Sequence, residues 1–190
     1  MPAVARSALL KHAVAGIVAG ARALWIDRLS RAGVIVVMGI LGLAAARMLI
    51  SPTPIIPLLF NWTPSLPYHV AWLERGAPVG RGDYVLYSFD GPAGAIYPAL
   101  RRQPFFKRIA GEAGDPVRVD GRNVYVRGEY VGFAKLRTTD GRPLSPVSAS
   151  VVPAGHLYVH GTGPDSLDSR YVEGGFVPLD AVIGKVHPWF

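Results

Sequence analysis

The chain contains no cysteine. Disulfide staples, thiolate nucleophiles and zinc sites built on cysteine are therefore excluded. The compartment stays open, because a domain outside the cytoplasm can fold without disulfides. Charge is also scarce: 17% of the 190 residues are Asp, Glu, Lys or Arg, against 50% hydrophobic, which is apolar for a soluble protein. Internal repeats and low-complexity tracts are absent as well, so neither a solenoid nor a compositionally biased tail is expected. The length suits one domain with a real core plus an appendage.

What charge there is lies unevenly. The formal net charge is +7, which invites a nucleic-acid partner. Residues 1–33 carry Arg6, Lys11, Arg22, Arg28 and Arg31 against Asp27 alone, and Arg47 follows. Residues 51–190 hold 14 basic and 12 acidic residues, a net of only +2. Basic charge gathered beside an apolar run fits membrane topology better than a phosphate-binding face. No nucleic-acid partner is expected.

The apolar run is Ala32–Ile50, AGVIVVMGILGLAAARMLI, whose one charge, Arg47, sits near its far end. A helix over it spans roughly 28 Å, close to the hydrocarbon thickness. Arg47 is placed to snorkel to the interface, and Ser51-Pro52 ends the helix. A cleaved signal peptide would have a shorter apolar region nearer the start. A buried helix would need apolar partners on all sides. The expected organisation is a basic cytoplasmic segment over 1–31, an anchor over 32–50, and an outer domain over 51–190, with the positive side inside. Within the first segment, residues 8–26 read either as an amphipathic helix on the inner surface or as a second short span.

Beyond the proline-rich connector Pro52–Pro57, helical periodicity gives way to short β-branched and aromatic runs between glycine turns. Asp83–Phe89, His156–His160 and Ala181–Val186 are strand candidates. Pro116–Val126 predicts a hairpin turning at Asp120-Gly121 and continuing towards Glu129. Thr138–Ser150 is polar and reads as an excursion. The expected fold is mainly β, an antiparallel domain on an N-terminal transmembrane helix.

Three segments carry candidate chemistry: Asn61–Pro67 (NWTPSLP), Phe105–Ile109 (FFKRI) and Asp165–Arg170 (DSLDSR). A serine hydroxyl becomes a nucleophile only when a base removes its proton. Lysine serves as that base only when neutral, so its pKa must fall to roughly 8 by burial in an apolar pocket. Phe105, Phe106 and Ile109 flank Lys107 and are expected to supply the desolvation, with Arg108 pointing the other way along an alternating strand. The oxyanion of an acyl-transfer intermediate needs donors, for which the Ser65 N–H and the Thr63 hydroxyl are candidates.

The three segments resemble the boxes of type I signal peptidases, and most closely the conjugative-transfer signal peptidases of the TraF type. Thr63-Pro64-Ser65-Leu66-Pro67 is similar to the TraF-type nucleophile motif T-x-S-x-P. Arg81-Gly82-Asp83-Tyr84-Val85 is similar to the G-D-x-V strand. Lys107-Arg108-Ile109-Ala110-Gly111 with Gly114-Asp115 is similar to the lysine box, and Ser166-x-Asp168-Ser169-Arg170 to the last box. The resemblance covers residues 58–186 in consistent order. It departs at His69, where the TraF type usually has glycine, and at Ala113, where it usually has proline.

The resemblance implies a signal-peptidase and LexA-like antiparallel fold with an apolar face on the membrane, which Trp62, Trp72 and Trp189-Phe190 are placed to serve. It implies Ser65 as acylated nucleophile and Lys107 as general base. Thr63 supports the oxyanion, Ser166 orients the lysine, and the Asp168–Arg170 pair holds the loop. The implied location is the bacterial inner membrane with the catalytic domain periplasmic. The implied substrate is an exported precursor, a signal peptide or prepilin, met at the membrane lipid. Neither a cofactor nor a metal is called for.

Rival readings remain. His69 lies four residues from Ser65, but no G-x-S-x-G elbow surrounds the serine. His156 and His160 share a strand face without nearby carboxylates, a poor metal site. LexA-type self-cleavage shares the dyad but lacks the anchor. A pilin-cyclising transpeptidase would use the same acyl-enzyme. A catalytically silent scaffold of a conjugation or secretion apparatus is the reading from another class.

Overall fold

The computed structural model describes residues 16, 20, 28–50, 56–61, 63 and 65–189. The reading of residues 8–26, most of the connector, Trp62 and Phe190 lie outside the described residues. The chain divides into two units, Met1–Ser51 and Pro52–Phe190.

In the first unit, helix α1 runs Arg28–Ile50, 23 residues. Its described side chains, 31–46, are exposed throughout. Val34, Ile35, Val36, Val37, Met38, Ile40, Leu41 and Leu43 are among them. Among the described residues no helix is long and apolar enough to cross a membrane.

The second unit is mainly β. Strands β1 (Leu58–Phe60), β2 (Val70–Arg75), β3 (Tyr84–Ser88), β4 (Pro104–Gly111), β9 (His156–His160), β10 (Val177–Pro178) and β11 (Val182–Pro188) form one sheet. Its order is β1-β2-β11-β3-β4-β9-β10. A second sheet, ordered β7-β6-β5-β8, combines β5 (Pro116–Asp120), β6 (Asn123–Val126), β7 (Glu129–Phe133) and β8 (Ser150–Val151). Every described pairing is antiparallel. A four-residue helix, α2 (Ala93–Ile96), and a 3-10 turn, Pro98–Leu100, cross between β3 and β4.

The predicted hairpin forms, with Asp120 paired to Asn123 and β7 extending it from Glu129. The Thr138–Ser150 excursion carries little regular structure before β8. The last predicted strand is shifted: Ala181 ends a 3-10 turn, and β11 runs on to Pro188.

Three apolar clusters hold the unit together. Val85, Tyr87, Phe89, Ile109, Leu157, Val159 and Val177 form the first, across β3, β4, β9 and β10. Val117, Val124, Val126, Val152, Tyr158 and Tyr171 form the second, in which Tyr158 of β9 packs against the smaller sheet. Leu59, Ala71, Leu73, Leu86 and Val186 form the third, at the β1–β2 end. The first cluster is the one that receives the lysine.

Candidate active site

Along β4 the side chains alternate: Lys107 and Ile109 are buried and Arg108 between them is exposed. Phe105 and Ile109 share the lysine's face and belong to the first cluster, where Phe105 stacks on Phe89 with ring centroids 4.4 Å apart. Lys107 Nζ lies 5.6 Å from the Phe105 ring centre. Phe106 does not share this work. The period-two pleat turns it to the opposite face, where it packs against the third cluster and the Tyr84 ring, 5.8 Å away. Lys107 is 5% exposed, and this burial lowers its pKa from 10.5 to about 8. The Asp168 carboxylate pulls the other way, and the Arg170 guanidinium adds to the lowering.

Ser65 sits in a tight turn between β1 and β2 and is 8% exposed. Asn61 builds that turn. Its Nδ2 donates to the carbonyls of Leu66 (3.3 Å) and Tyr68 (2.8 Å). Its Oδ1 accepts from the Thr63 N–H (3.2 Å) and the Thr63 hydroxyl (3.0 Å). Thr63 Oγ1 is 2.8 Å from Ser65 Oγ. A hydroxyl has one proton. With Thr63 giving its proton to Asn61, Ser65 donates to Thr63. The serine proton is then parked on the threonine and must turn away from it to be removed by a base. Asn61 carries no role in the sequence reading. Its signal is the habit of Asn side chains of closing turns on nearby backbone groups.

The last box supplies the floor. Asp168 Oδ2 accepts from the Gly161 N–H (2.8 Å) and Arg170 Nη2 (2.8 Å), while Oδ1 accepts from Arg170 Nε (2.9 Å). Both side chains are almost wholly buried. Arg170 Nη2 also reaches the carbonyls of Gly161, Gly163 and Ser166 at 3.3–3.4 Å. Gly132 of β7 lets this guanidinium in: a Cβ there would stand 2.7 Å from Arg170 Nη1. Ser169 Oγ accepts from the Val159 N–H and donates to the Gly175 carbonyl.

Gly161 joins these pieces. Gly163 N–H donates to the Ser65 carbonyl at 3.2 Å. A Cβ on Gly161 would collide with the Ser166 side chain and stand 2.7 Å from the Ser65 carbonyl oxygen. On the neighbouring strand Arg108 pairs with His160, so continuing the register sets Lys107 opposite Gly161. Residues opposite each other across a strand pair point to one face. Ser65 and Ser166 thus both pack on Gly161, and the register sets Lys107 across from it. Gly161→Ala is expected to keep the circular dichroism spectrum and lose about a hundredfold in turnover, the effect of a displacement near 1 Å; unchanged turnover would refute this packing.

The other sequence-singled residues fall nearby or elsewhere. Asp115 binds Arg81 (2.6 Å) and the Glu112 N–H (2.8 Å), tying the lysine box to the R-G-D-Y-V segment. Asp83 accepts from the Gly80 N–H and pairs with Lys185. His69 is exposed, and its carbonyl accepts the Asn61 N–H at 2.8 Å. Trp72 and Trp189 are exposed. His156 Nδ1 lies 2.9 Å from the Ala154 carbonyl. His160 Nδ1 is buried without a hydrogen-bond partner, and burial lowers its pKa. Among the described residues no three His, Cys, Asp or Glu side chains gather closely enough to hold a metal ion.

The family model described as "Signal peptidase, peptidase S26" matches residues 29–190. The chain belongs to the signal peptidase family. It is a peptidase of that family with TraF-like similarity. A "Conjugal transfer protein TraF" of Agrobacterium tumefaciens is 30% identical over 148 residues, 68% of this chain and 80% of the relative. A "Probable signal peptidase I-2" of Synechocystis is 33% identical over 106 residues, 55% of this chain and 45% of the relative. A crystal structure of a signal peptidase I from Enterococcus faecalis V583 is 22% identical, with 57% of this chain and 97% of that chain covered and a TM-score of 0.36.

Proposed function

We propose that this signal peptidase is a membrane-anchored serine endopeptidase that removes signal or pro-segments from exported precursors. Ser65 is the nucleophile and Lys107 the general base. The observation that carries the reading is the lysine itself. Lys107 is buried among Phe105 and Ile109, its pKa falls to about 8, and the strand register sets it opposite Gly161, against which Ser65 and Ser166 pack. A neutral amine there takes the Ser65 proton as Oγ attacks the scissile carbonyl. The bond to the leaving amine breaks, and the protonated lysine returns its proton to that amine. Water then hydrolyses the acyl-enzyme with the same base. The Ser65 N–H and Thr63 hydroxyl stabilise the oxyanion, and the Asp168–Arg170 pair holds the loop; the lysine-orienting part that the resemblance gives Ser166 has no support in this structure, where Ser166 Oγ is buried without a hydrogen-bond partner.

The apolar run 32–50 and the basic residues before it support an inner-membrane anchor, a reading that the described part of α1 does not carry by itself. The catalytic unit then lies in the periplasm beside the lipid. The similarity to a conjugal transfer protein supports a conjugative substrate such as a prepilin. The test is co-expression of the full chain with a candidate precursor, followed by mass analysis. A new mature N-terminus with wild type and an intact precursor with Ser65→Ala are expected. Equal processing by both overturns the reading, and a product lighter by one water than the linear form signals cyclisation in place of hydrolysis.

A further inference from the structure

A cavity of about 390 Å³ lies under the 135–144 excursion, outside the reacting group. Its apolar wall comes from α2, the following turn, the excursion and the last-box loop, through Ala93, Ile96, Leu100, Leu144 and Leu167. Neither Ser65, Thr63 nor Lys107 lines it, but Ser166 does. Ser166 is 4% exposed and its Oγ has no hydrogen-bond partner. The loop that forms one cavity wall, Pro164–Leu167, is continuous with Gly163, whose N–H holds the Ser65 carbonyl. The cavity therefore shares the wall at Ser166 with the loop that holds Ser65.

Two latches cross its rim. Tyr97 donates to Asp140 at 2.8 Å, and the Arg142 guanidinium stacks over the Tyr97 ring at 5.0 Å. Lys135 pairs with Asp165 on the other side. Each latch is exposed, and exposed ion pairs hold little free energy. The base of the excursion is held more firmly, by Arg122 donating to the carbonyls of Ala134, Lys135 and Leu144, so that only the rim is loosely tied. The volume falls within the range of ligand sites, which are mostly apolar with a few convergent polar groups.

We propose that this cavity is a precursor subsite: it takes a bulky apolar side chain of the polypeptide, flanking the scissile bond without adjoining it. The inference rests on the peptidase reading and adds a specificity site to it. Polypeptide is favoured over a lipid because the cavity wall Pro164–Leu167 is continuous with Gly163, whose N–H holds the carbonyl of Ser65. Occupancy also presses on the Ser166 loop, coupling recognition to the catalytic group.

The experiment uses the full chain in detergent with Ser65→Ala, so that binding is read without cleavage. The probes are fluorescein-labelled Ser-Gly peptides carrying one Leu-Leu pair at successive positions. One placement is expected to bind about tenfold more tightly than the peptide without leucine, the scale on which an apolar pocket discriminates. Ala99→Trp and Thr139→Trp, which fill the cavity from its exposed rim, are each expected to abolish that gain and leave the leucine-free peptide unaffected. Three results overturn the proposal: no placement gains affinity; the gain survives both tryptophans; or dodecanoate is the probe that binds wild type and fails on the variants while no leucine placement does. Cleavage by the Ser65→Ala protein would defeat the nucleophile assignment and leave this measurement intact.

Discussion

Lys107→Met is expected to lower precursor turnover by at least about 10⁴-fold, the scale of losing one member of a catalytic unit. The same change should stabilise the fold at neutral pH. In the unfolded chain the ammonium persists up to 10.5, while in the folded chain it persists only up to about 8. Between those values the folded state binds fewer protons, so stability rises with pH across that window. Below pH 8 the full cost of a buried charge applies, about 3 kcal/mol for a shift of this size. Methionine has similar bulk and no charge, so urea denaturation near pH 7 should show the variant more stable by a gap of that order. The gap should close as pH approaches 10.5. A variant less stable than wild type at pH 7 would show that the lysine is not strained. In the rate, wild-type kcat/KM should climb to a plateau with a midpoint near 8, because only the neutral amine accepts the Ser65 proton. Combining Ser65→Ala with Lys107→Met should cost no more than the larger single effect, since the two act as one unit. Additive losses would separate them.

This dependence on one face of one strand also marks how far the sequence could be read. The lysine's burial follows from β4 alternation, and the exposed Arg108 with it. Phe106 was indistinguishable from Phe105 by sequence distance, yet the pleat gives one to the lysine and the other to the third cluster. Strands with aromatic and aliphatic residues gathered between turns, His156–His160 and Tyr84–Ser88, stand out in the chain. Val70–Arg75 (VAWLER) does not, because its pairing with β1 and β11 is non-local and its charged end resembles a helix surface. The excursion was legible as irregular, but the cavity beneath it was not, since its walls come from three separated segments. Asn61 went unassigned for a similar reason. Its function is to donate to carbonyls five and seven residues on, and no pattern of residue types prints that. The last box shows the opposite case: the Asp168–Arg170 pair that the family resemblance implies is present, while the number of backbone groups it holds was hidden.

Those backbone groups set the second large effect. Arg170→Met is expected to destabilise the fold by about 3–5 kcal/mol, the usual result of leaving one partner of a buried ion pair alone. The change strands the Asp168 carboxylate and removes the donor to three carbonyls, those of Gly161, Gly163 and Ser166. Asp168→Asn should cost less, because the amide oxygen can still accept the Gly161 N–H. The two variants also pull the lysine in opposite directions. Asp168 raises the Lys107 pKa and Arg170 lowers it. Removing the guanidinium therefore leaves the carboxylate unopposed, and the midpoint of the pH–rate profile should move above 8; removing the carboxylate's charge should move it below. A pair that only braced the loop would change stability and the height of the profile while leaving its midpoint in place. Opposite displacement of the two midpoints is the outcome that ties the buried pair to the base as well as to the fold, because electrostatic coupling has a sign and loss of packing does not.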